Sequence, residues 1–366
     1  MAAFPPVSGL SRPALCAGPK RLLLAPAMAR STAQAQADLL VVSVGCPCGI
    51  GPEVSVRAAA KVPGTVLVGD WQMLNEAAEL VSVARKRLVP FSGEANDPRA
   101  IYVHSVGPKL ASRDRKPGKP NASSGAAQLA YINEAYRLTK AHPRSALVTG
   151  PVSKAAIAHS GARSAAHFLG HTEWLRDMDH APLSVMCFAA GPLVTSLVTT
   201  HLPIAKVPRA ITPHAVADAA FYLSELLLAL GKVRPKIAVC SLNPHAGESE
   251  LLGAEERLAI VPGIARAARR LGKRAQLLGP IGAETAFRKA VSGVYDGVVA
   301  MYHDQATIPM KLVAFGDAVN VTMGLSIVRT SVDHGTAYDI AWKGTADAAG
   351  MRSALEFGRR LSSSHA

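Results

Sequence analysis

Leu39-Leu40-Val41-Val42-Ser43-Val44-Gly45-Cys46-Pro47-Cys48-Gly49-Ile50-Gly51-Pro52-Glu53 starts as an apolar, β-rich run, crosses a glycine-bracketed loop and ends in residues that open a helix. An apolar run without alternation suits a strand covered on both faces, as in a parallel sheet. Pro52 loses nothing in a first helical turn, where its missing amide would be unpaired, and Glu53 complements the positive end of the helix. Gly49-Ile50-Gly51 begins like a dinucleotide fingerprint, but Arg57 and its neighbours continue the helix where a third glycine belongs. It is therefore not read as one.

Further strand-like runs follow at Thr65–Val68, Ile101–Val106, Ala146–Thr149, Leu193–Thr200, Ile237–Leu242, Val298–Met301 and Val319–Thr322. Helical spacing lies between and after them at Gly125–Lys140, Pro213–Leu230, Ala254–Leu271 and Ala346–Leu361, with Pro213 at a helix start and Gly231 as a stop. The uncharged stretch Ala181–Thr200 is as long as a membrane span, but Gly191-Pro192 in its middle makes it two strands joined by a turn, and no membrane is expected. This alternation predicts an α/β protein with a mainly parallel sheet. Arg113–Asn121, rich in Lys, Pro and Gly, reads as an exposed loop near a domain boundary, and no internal repeat is evident.

At 366 residues the chain exceeds one ordinary core and suits two domains. Lys and Arg number 40 against 26 Asp and Glu, but aromatics are only 5%, too few for a base-stacking surface. The charge therefore points to a small anionic substrate and a phosphate-bearing cofactor rather than nucleic acid. Five cysteines, an odd number in a long chain, make no disulfide framework and place the protein in a reducing cytoplasm. Residues 1–37 hold Arg12, Lys20, Arg21 and Arg30 and no acid. An organellar transit peptide has this composition, but the reading adopted is a disordered extension, or a start at Met28.

Among twelve histidines, His142, His159 and His180 sit in polar or helical surroundings and read as satisfied or solvated. His201, His245 and His303 differ, because each follows the carboxyl end of a predicted strand, where open α/β sheets bind ligands. Three converging imidazoles suit a divalent metal with an open position. Asp304 or Glu248 could orient such a ligand or bind the metal directly. A second group could hold an anion: Gly170-His171-Thr172-Glu173 precedes an amphipathic run, with Thr172 read as a helix cap, and Lys311, Asn320 and Arg329 add donors.

These motifs carry a resemblance. Gly49-Ile50-Gly51-Pro52-Glu53, Gly150-Pro151-Val152-Ser153-Lys154, Gly170-His171-Thr172-Glu173, Thr199-Thr200-His201-Leu202-Pro203, Asn243-Pro244-His245-Ala246-Gly247-Glu248, Tyr302-His303-Asp304-Gln305 and Arg329-Thr330-Ser331-Val332-Asp333-His334-Gly335-Thr336-Ala337 occur in the order of the 4-hydroxythreonine-4-phosphate dehydrogenase (PdxA) family. The chain resembles that family from Asp38 to Leu361.

The resemblance implies an isocitrate/isopropylmalate dehydrogenase-like fold, two α/β/α domains around a mainly parallel sheet with the active site in the cleft between them. Residues 38–145 with 310–366 would bind the nucleotide, and 146–309 would bind metal and substrate and dimerise. It implies that His201, His245 and His303 bind zinc, magnesium or cobalt and act in catalysis with Asp304. His171, Thr172, Lys311, Asn320 and Arg329 would contact substrate, and His334, Gly335, Thr336, Ala337 and Asp339 would contact NAD or NADP. The implied protein is a cytoplasmic homodimer with metal sites shared between subunits. It would oxidise 4-phosphohydroxy-L-threonine to a β-keto acid that decarboxylates to 3-amino-2-oxopropyl phosphate, toward pyridoxal phosphate.

The chain departs from this pattern at Cys46 and Cys48, where the family has Asp and Ala, at Glu284, where it has Asp, and between Ser160 and Phe168. Cys46-Pro47-Cys48 is spaced more tightly than a redox or metal C-x-x-C and reads as a loop variation. Alternatives keep the chemistry on a phosphorylated four-carbon sugar acid or a carboxylated dihydrodiol. A zinc hydrolase also uses three histidines, but it has no evident use for His334–Asp339, and a non-catalytic anion-binding module has none for a three-histidine site.

Overall fold

The structure, a computed structural model, describes residues 39–107, 109–314 and 316–364. The extension read over residues 1–37 lies outside the described residues. The strands are β1 (Leu39–Ser43), β2 (Thr65–Gly69), β3 (Leu88–Pro90), β4 (Ile101–Ser105), β5 (Ser145–Thr149), β6 (Val185–Ala190), β7 (Leu193–Leu197), β8 (Lys236–Cys240), β9 (Gln276–Ile281), β10 (Gly297–Ala300), β11 (Val319–Met323) and β12 (Val328–Val332). The helices are α1 (Gly51–Ala59), α2 (Trp71–Leu80), α3 (Ala122–Ala141), α4 (Lys154–Ala158), α5 (His171–Met178), α6 (Val207–Ala210), α7 (Pro213–Ala229), α8 (Val261–Leu271), α9 (Ala283–Val291), α10 (His303–Val313) and α11 (Ala349–Ser362).

Among the described residues the strands form one mixed, mainly parallel sheet in the order β3-β4-β2-β1-β5-β12-β11-β6-β7-β10-β8-β9. β1, β2 and β5 are buried along their whole length, which is why they read as unbroken apolar runs. Helices cover them: α3 packs across β1, β2 and β5, while α11 packs on β5 and β12. β6 and β7 form the antiparallel hairpin expected around Gly191-Pro192. β11 runs antiparallel to both β6 and β12, and so joins two largely parallel halves. No helix among the described residues is long and apolar enough to cross a membrane.

Every strand-like run of the sequence is a strand here, with ends shifted by up to a few residues. β3, β9 and β12 carry no such signal: β3 is a short edge strand ending at Pro90, β9 contains Gly279-Pro280, and β12 is built from Val328-Arg329-Thr330-Ser331-Val332. The helix expected over Ala254–Leu271 is in two pieces, a π-turn at Glu256–Ile260 and then α8. Pro262 at its start removes an amide from the helical ladder and accounts for the break.

Two close approaches set the stage for the site. Gly45 has φ +82°, and a Cβ there would collide with the carbonyl of Pro151, so the loop after β1 lies directly on the loop after β5. A Cβ at Gly125 would collide with the carbonyl of Ala156, so α4 seats its backbone against α3. Ser153 caps α4, accepting from Ala156 N at 3.2 Å, and this fixes where Lys154 begins.

Candidate functional site

β7, β10 and β8 are adjacent and parallel, so His201, His303 and His245 follow the carboxyl ends of three neighbouring strands. The rings of His201 and His303 lie 5.4 Å apart. His303 is the first residue of α10, and its Nδ1 donates to Asp304 Oδ1 at 2.7 Å. That bond leaves Nε2 as the ring's lone-pair donor. Burial, then His303 and Lys154, hold the pKa of His201 below its ordinary value, which keeps its imidazole neutral. Two imidazoles side by side, one oriented by a carboxylate, fit a divalent cation such as zinc or cobalt.

His245 does not join them within one chain. Among the described residues no group of three or more His, Cys, Asp or Glu gathers in metal-binding geometry. His245 is exposed at φ +51° and starts a run of positive φ through Glu250. Glu256 fixes the base of this turn, its carboxylate accepting from Leu242 N at 2.9 Å, Asn243 N at 2.8 Å and Asn243 Nδ2 at 2.9 Å. Glu248 is exposed in the same turn, and Glu284 points into solvent bonded to Arg288 and Thr285.

The anion-binding candidates gather more tightly. Arg329 on β12 is 3% exposed, donating from Nη1 to Thr322 Oγ1 at 2.7 Å and from Nη2 to Thr149 Oγ1 at 2.6 Å. No carboxylate bonds it, and its Nε, His171 Nε2 and Asn320 Oδ1 are buried without a hydrogen-bond partner in the protein. Burial pulls the pKa of Arg329 down to about 10, opposed by Glu173, so the guanidinium stays charged at neutral pH. Burial, then Arg329 and Lys154, push His171 down to about 3, so it is neutral. A buried charge that no carboxylate hydrogen-bonds costs several kcal/mol, and a group kept this way suits an incoming anion.

Thr172 does not cap its helix. α5 starts at His171 with Gly170 in the cap position and no side-chain cap bond, leaving Thr172 in the first turn. A residue-type signal for a cap cannot distinguish neighbouring positions when glycine supplies the extended entry. Lys311, in the last turn of α10, is exposed. His142 and His159 bond carbonyls four residues earlier, at 2.7 and 2.9 Å, as satisfied helix-end histidines.

Lys154, Glu173 and Asp333 also belong to this region, although their roles are not legible in the motifs that contain them. A Cβ at Gly170 would lie 3.5 Å from Lys154 Nζ and 2.9 Å from Glu173 Oε2. Lys154 acts electrostatically on both His171 and His201, and so connects the anion group to the histidine pair. Asp333 faces Lys311, His303 and His334, joining substrate, metal and cofactor candidates.

The candidate cofactor segment docks on the loop after β1. Ile50 N donates to Thr336 O at 3.0 Å, and Trp342 Nε1 donates to Pro47 O at 2.8 Å. Glu53, 2% exposed on α1, accepts from Trp342 N at 2.9 Å and Gly344 N at 3.0 Å. His334, Gly335 and Asp339 are exposed, while Thr336 and Ala337 are half-buried.

Known proteins are similar to this chain in sequence and fold. Residues 61–358 match the family model described as pyridoxal phosphate biosynthetic protein PdxA. A putative D-threonate 4-phosphate dehydrogenase of Bradyrhizobium diazoefficiens is 35% identical over 352 residues, covering 88% of this chain and 96% of that protein. A 4-hydroxythreonine-4-phosphate dehydrogenase of Geobacter metallireducens is 38% identical over 323 residues, 86% of this chain and 93% of its own. The crystal structure of 4-hydroxythreonine-4-phosphate dehydrogenase from Klebsiella pneumoniae superposes with a TM-score of 0.78 at 32% identity, covering 89% of this chain and all of that one. With the family match running from residue 61, just after α1, to residue 358 within α11, the chain belongs to the PdxA family of oxidoreductases.

Proposed function

We propose that the protein is an NAD(P)-dependent, divalent-metal-dependent dehydrogenase of a phosphorylated hydroxy acid, with 4-phosphohydroxy-L-threonine as substrate. The observation that carries this reading is Arg329, buried and bonded only to neutral hydroxyls, with its own Nε and His171 Nε2 lacking partners beside it. Arg329, His171, Thr172, Asn320 and Lys311 bind and orient the phosphate and carboxylate, which holds the reacting carbon in one place. His201 and His303 hold the cation, with Asp304 fixing the tautomer of His303. When bound, the cation polarises the secondary alcohol and NAD(P) supplies the hydride acceptor. The resulting β-keto acid loses carbon dioxide to give 3-amino-2-oxopropyl phosphate.

The nucleotide is assigned to 38–145 with 310–366, contacting His334, Gly335, Thr336, Ala337 and Asp339. Metal, substrate and dimer contacts are assigned to 146–309. A homodimer gives His245 a place, as a ligand contributed to the site of the partner subunit. The exposed leucines beside it, Leu251 and Leu252, suit burial in such a contact.

D-Threonate 4-phosphate is the second reading, favoured by the Bradyrhizobium relative and by Cys46. This substrate carries a hydroxyl where phosphohydroxythreonine carries an ammonium, and a thiol at position 46 does not offer the ammonium a fixed carboxylate. The test is NADH or NADPH formation by purified protein with each substrate, with and without zinc, magnesium or cobalt. Metal-dependent turnover of phosphohydroxythreonine supports the first reading. Turnover of threonate phosphate alone replaces it, and turnover of neither in metal-loaded protein overturns both.

A further inference from the structure

α5 carries His171 and Thr172 in its first turn, yet Leu175 is its one fully buried residue. A helix of two turns does not hold itself in water, and one leucine gives it little to rest on. Its position therefore depends on polar ties, and α3 supplies them. Asn133, Tyr136 and Lys140 are spaced three and four residues apart and so share one face of α3. In the middle of α5, Trp174 Nε1 donates to Asn133 Oδ1 at 2.8 Å. At its end, the Tyr136 hydroxyl and Lys140 Nζ donate to Asp179 Oδ1 at 2.7 and 3.2 Å.

Asp179 does more than end the helix. Its side chain is 1% exposed and meets the turn between β11 and β12, where Ser326 N donates to Oδ2 at 2.6 Å and the Ser326 hydroxyl donates to Oδ1. Lys140 donates to the same hydroxyl. Burial pushes the Asp179 pKa up, but the Ser326 hydroxyl and amide, Tyr136 and Lys140 outweigh it and keep the carboxylate ionised. A second approach fixes this turn. Gly324 has φ +98°, and a Cβ there would lie 2.7 Å from Leu183 O, in the connection from α5 to β6.

The hairpin tied in this way is the other wall of the anion pocket. It carries Asn320 and Thr322 on β11 and Arg329 on β12, three residues after Ser326. An anion held by both walls needs them at one fixed spacing. Asp179 lies at the opposite end of α5 from His171, and it is the carboxylate that spans from one wall to the other.

We propose that Asp179 is a positioning residue for anion recognition, which sets the spacing of His171 and Arg329 by locking the end of α5 to the β11–β12 turn. This rests on the reading of His171 and Arg329 as the anion site. Without the carboxylate, α5 and the hairpin keep their own packing but lose their mutual register.

Asp179→Asn keeps the size of the side chain and removes its charge. Inorganic phosphate and zinc are each titrated into the full chain by calorimetry, and amide exchange is followed over 171–178 and 324–329. Phosphate affinity is expected to fall about tenfold, as for one charge-assisted hydrogen bond put out of reach. Zinc affinity stays unchanged, because His201 and His303 stand after β7 and β10, outside the lock. Exchange rises in both segments together. Ser326→Ala keeps the amide donor and gives a smaller fall in phosphate affinity, which keeps the test decisive if Asp179→Asn does not fold. Unchanged phosphate affinity in folded variants overturns the proposal. Equal losses for phosphate and zinc also overturn it, since a merely structural residue would move both. Wild-type protein that binds no phosphate refutes the anion reading instead, and exchange then decides the lock, with a rise in one segment alone or in neither counting against it.

Discussion

Asp304 Oδ1 accepts the Nδ1 proton of His303 at 2.7 Å, so of the two consecutive residues at the start of α10 one orients the ring of the other, the candidate metal ligand. Outer partners of this kind set ring orientation and basicity. Asp304→Ala is expected to weaken zinc or cobalt binding by about 10–100-fold, read by chelator competition. Unaltered affinity would remove Asp304 from this role.

Arg329→Lys keeps a positive charge but cannot reach Thr149, Thr322 and a bound anion together. A hydrogen bond to a charged group contributes about 1.5–3 kcal/mol, so the KM for phosphorylated substrate should rise roughly ten- to a hundredfold. Inhibition by inorganic phosphate should weaken in parallel. Steady-state kinetics that leave KM in place would show that the anion sits elsewhere.

His171 predicts a pH dependence of stability. Its folded pKa of about 3 lies below the ordinary 6.5, so between these values the unfolded chain binds the extra proton. Stability from this group is intact above pH 6.5 and falls as the pH drops toward 3, by at most about 1.4 kcal/mol per pH unit. Urea midpoints for wild type and His171→Gln between pH 7 and 5 should diverge, with the variant less sensitive to acid. Parallel lines would sink the assignment.

Glu53→Ala removes the acceptor for the amides of Trp342 and Gly344. Leaving two part-buried amides unpaired should cost about 2–4 kcal/mol in urea unfolding. Nucleotide affinity should fall further than metal affinity, because Trp342 holds the candidate cofactor segment on the loop after β1. Equal losses of both in titration calorimetry would mark the effect as general.

The parts of the fold most legible in sequence are those where burial is simplest. β1, β2 and β5 are covered on both faces and carry nothing but apolar residues and Ser, Thr or Gly. β12 is as central, yet Arg329, Thr330 and Ser331 disguise it, because the site places polar groups inside the sheet. His201 and His303 follow from their position after strands. Whether His245 reaches them depends on the backbone from 245 to 250, which residue spacing does not encode. Lys154 and Glu173 look like ordinary charges near helix starts until the tertiary approach at Gly170 brings them together.

The placement of β11 and β12 also sets a timetable for synthesis. β5 comes early in the chain and β6 soon after, but the two strands that lie between them are translated near the end. Until the ribosome has passed Val332, β5 and β6 each present an unpaired edge, open to the wrong neighbour. The pocket around Arg329 therefore exists only in a nearly finished chain, and a product that stops short of β11 is left with two sheet fragments and no seam between them.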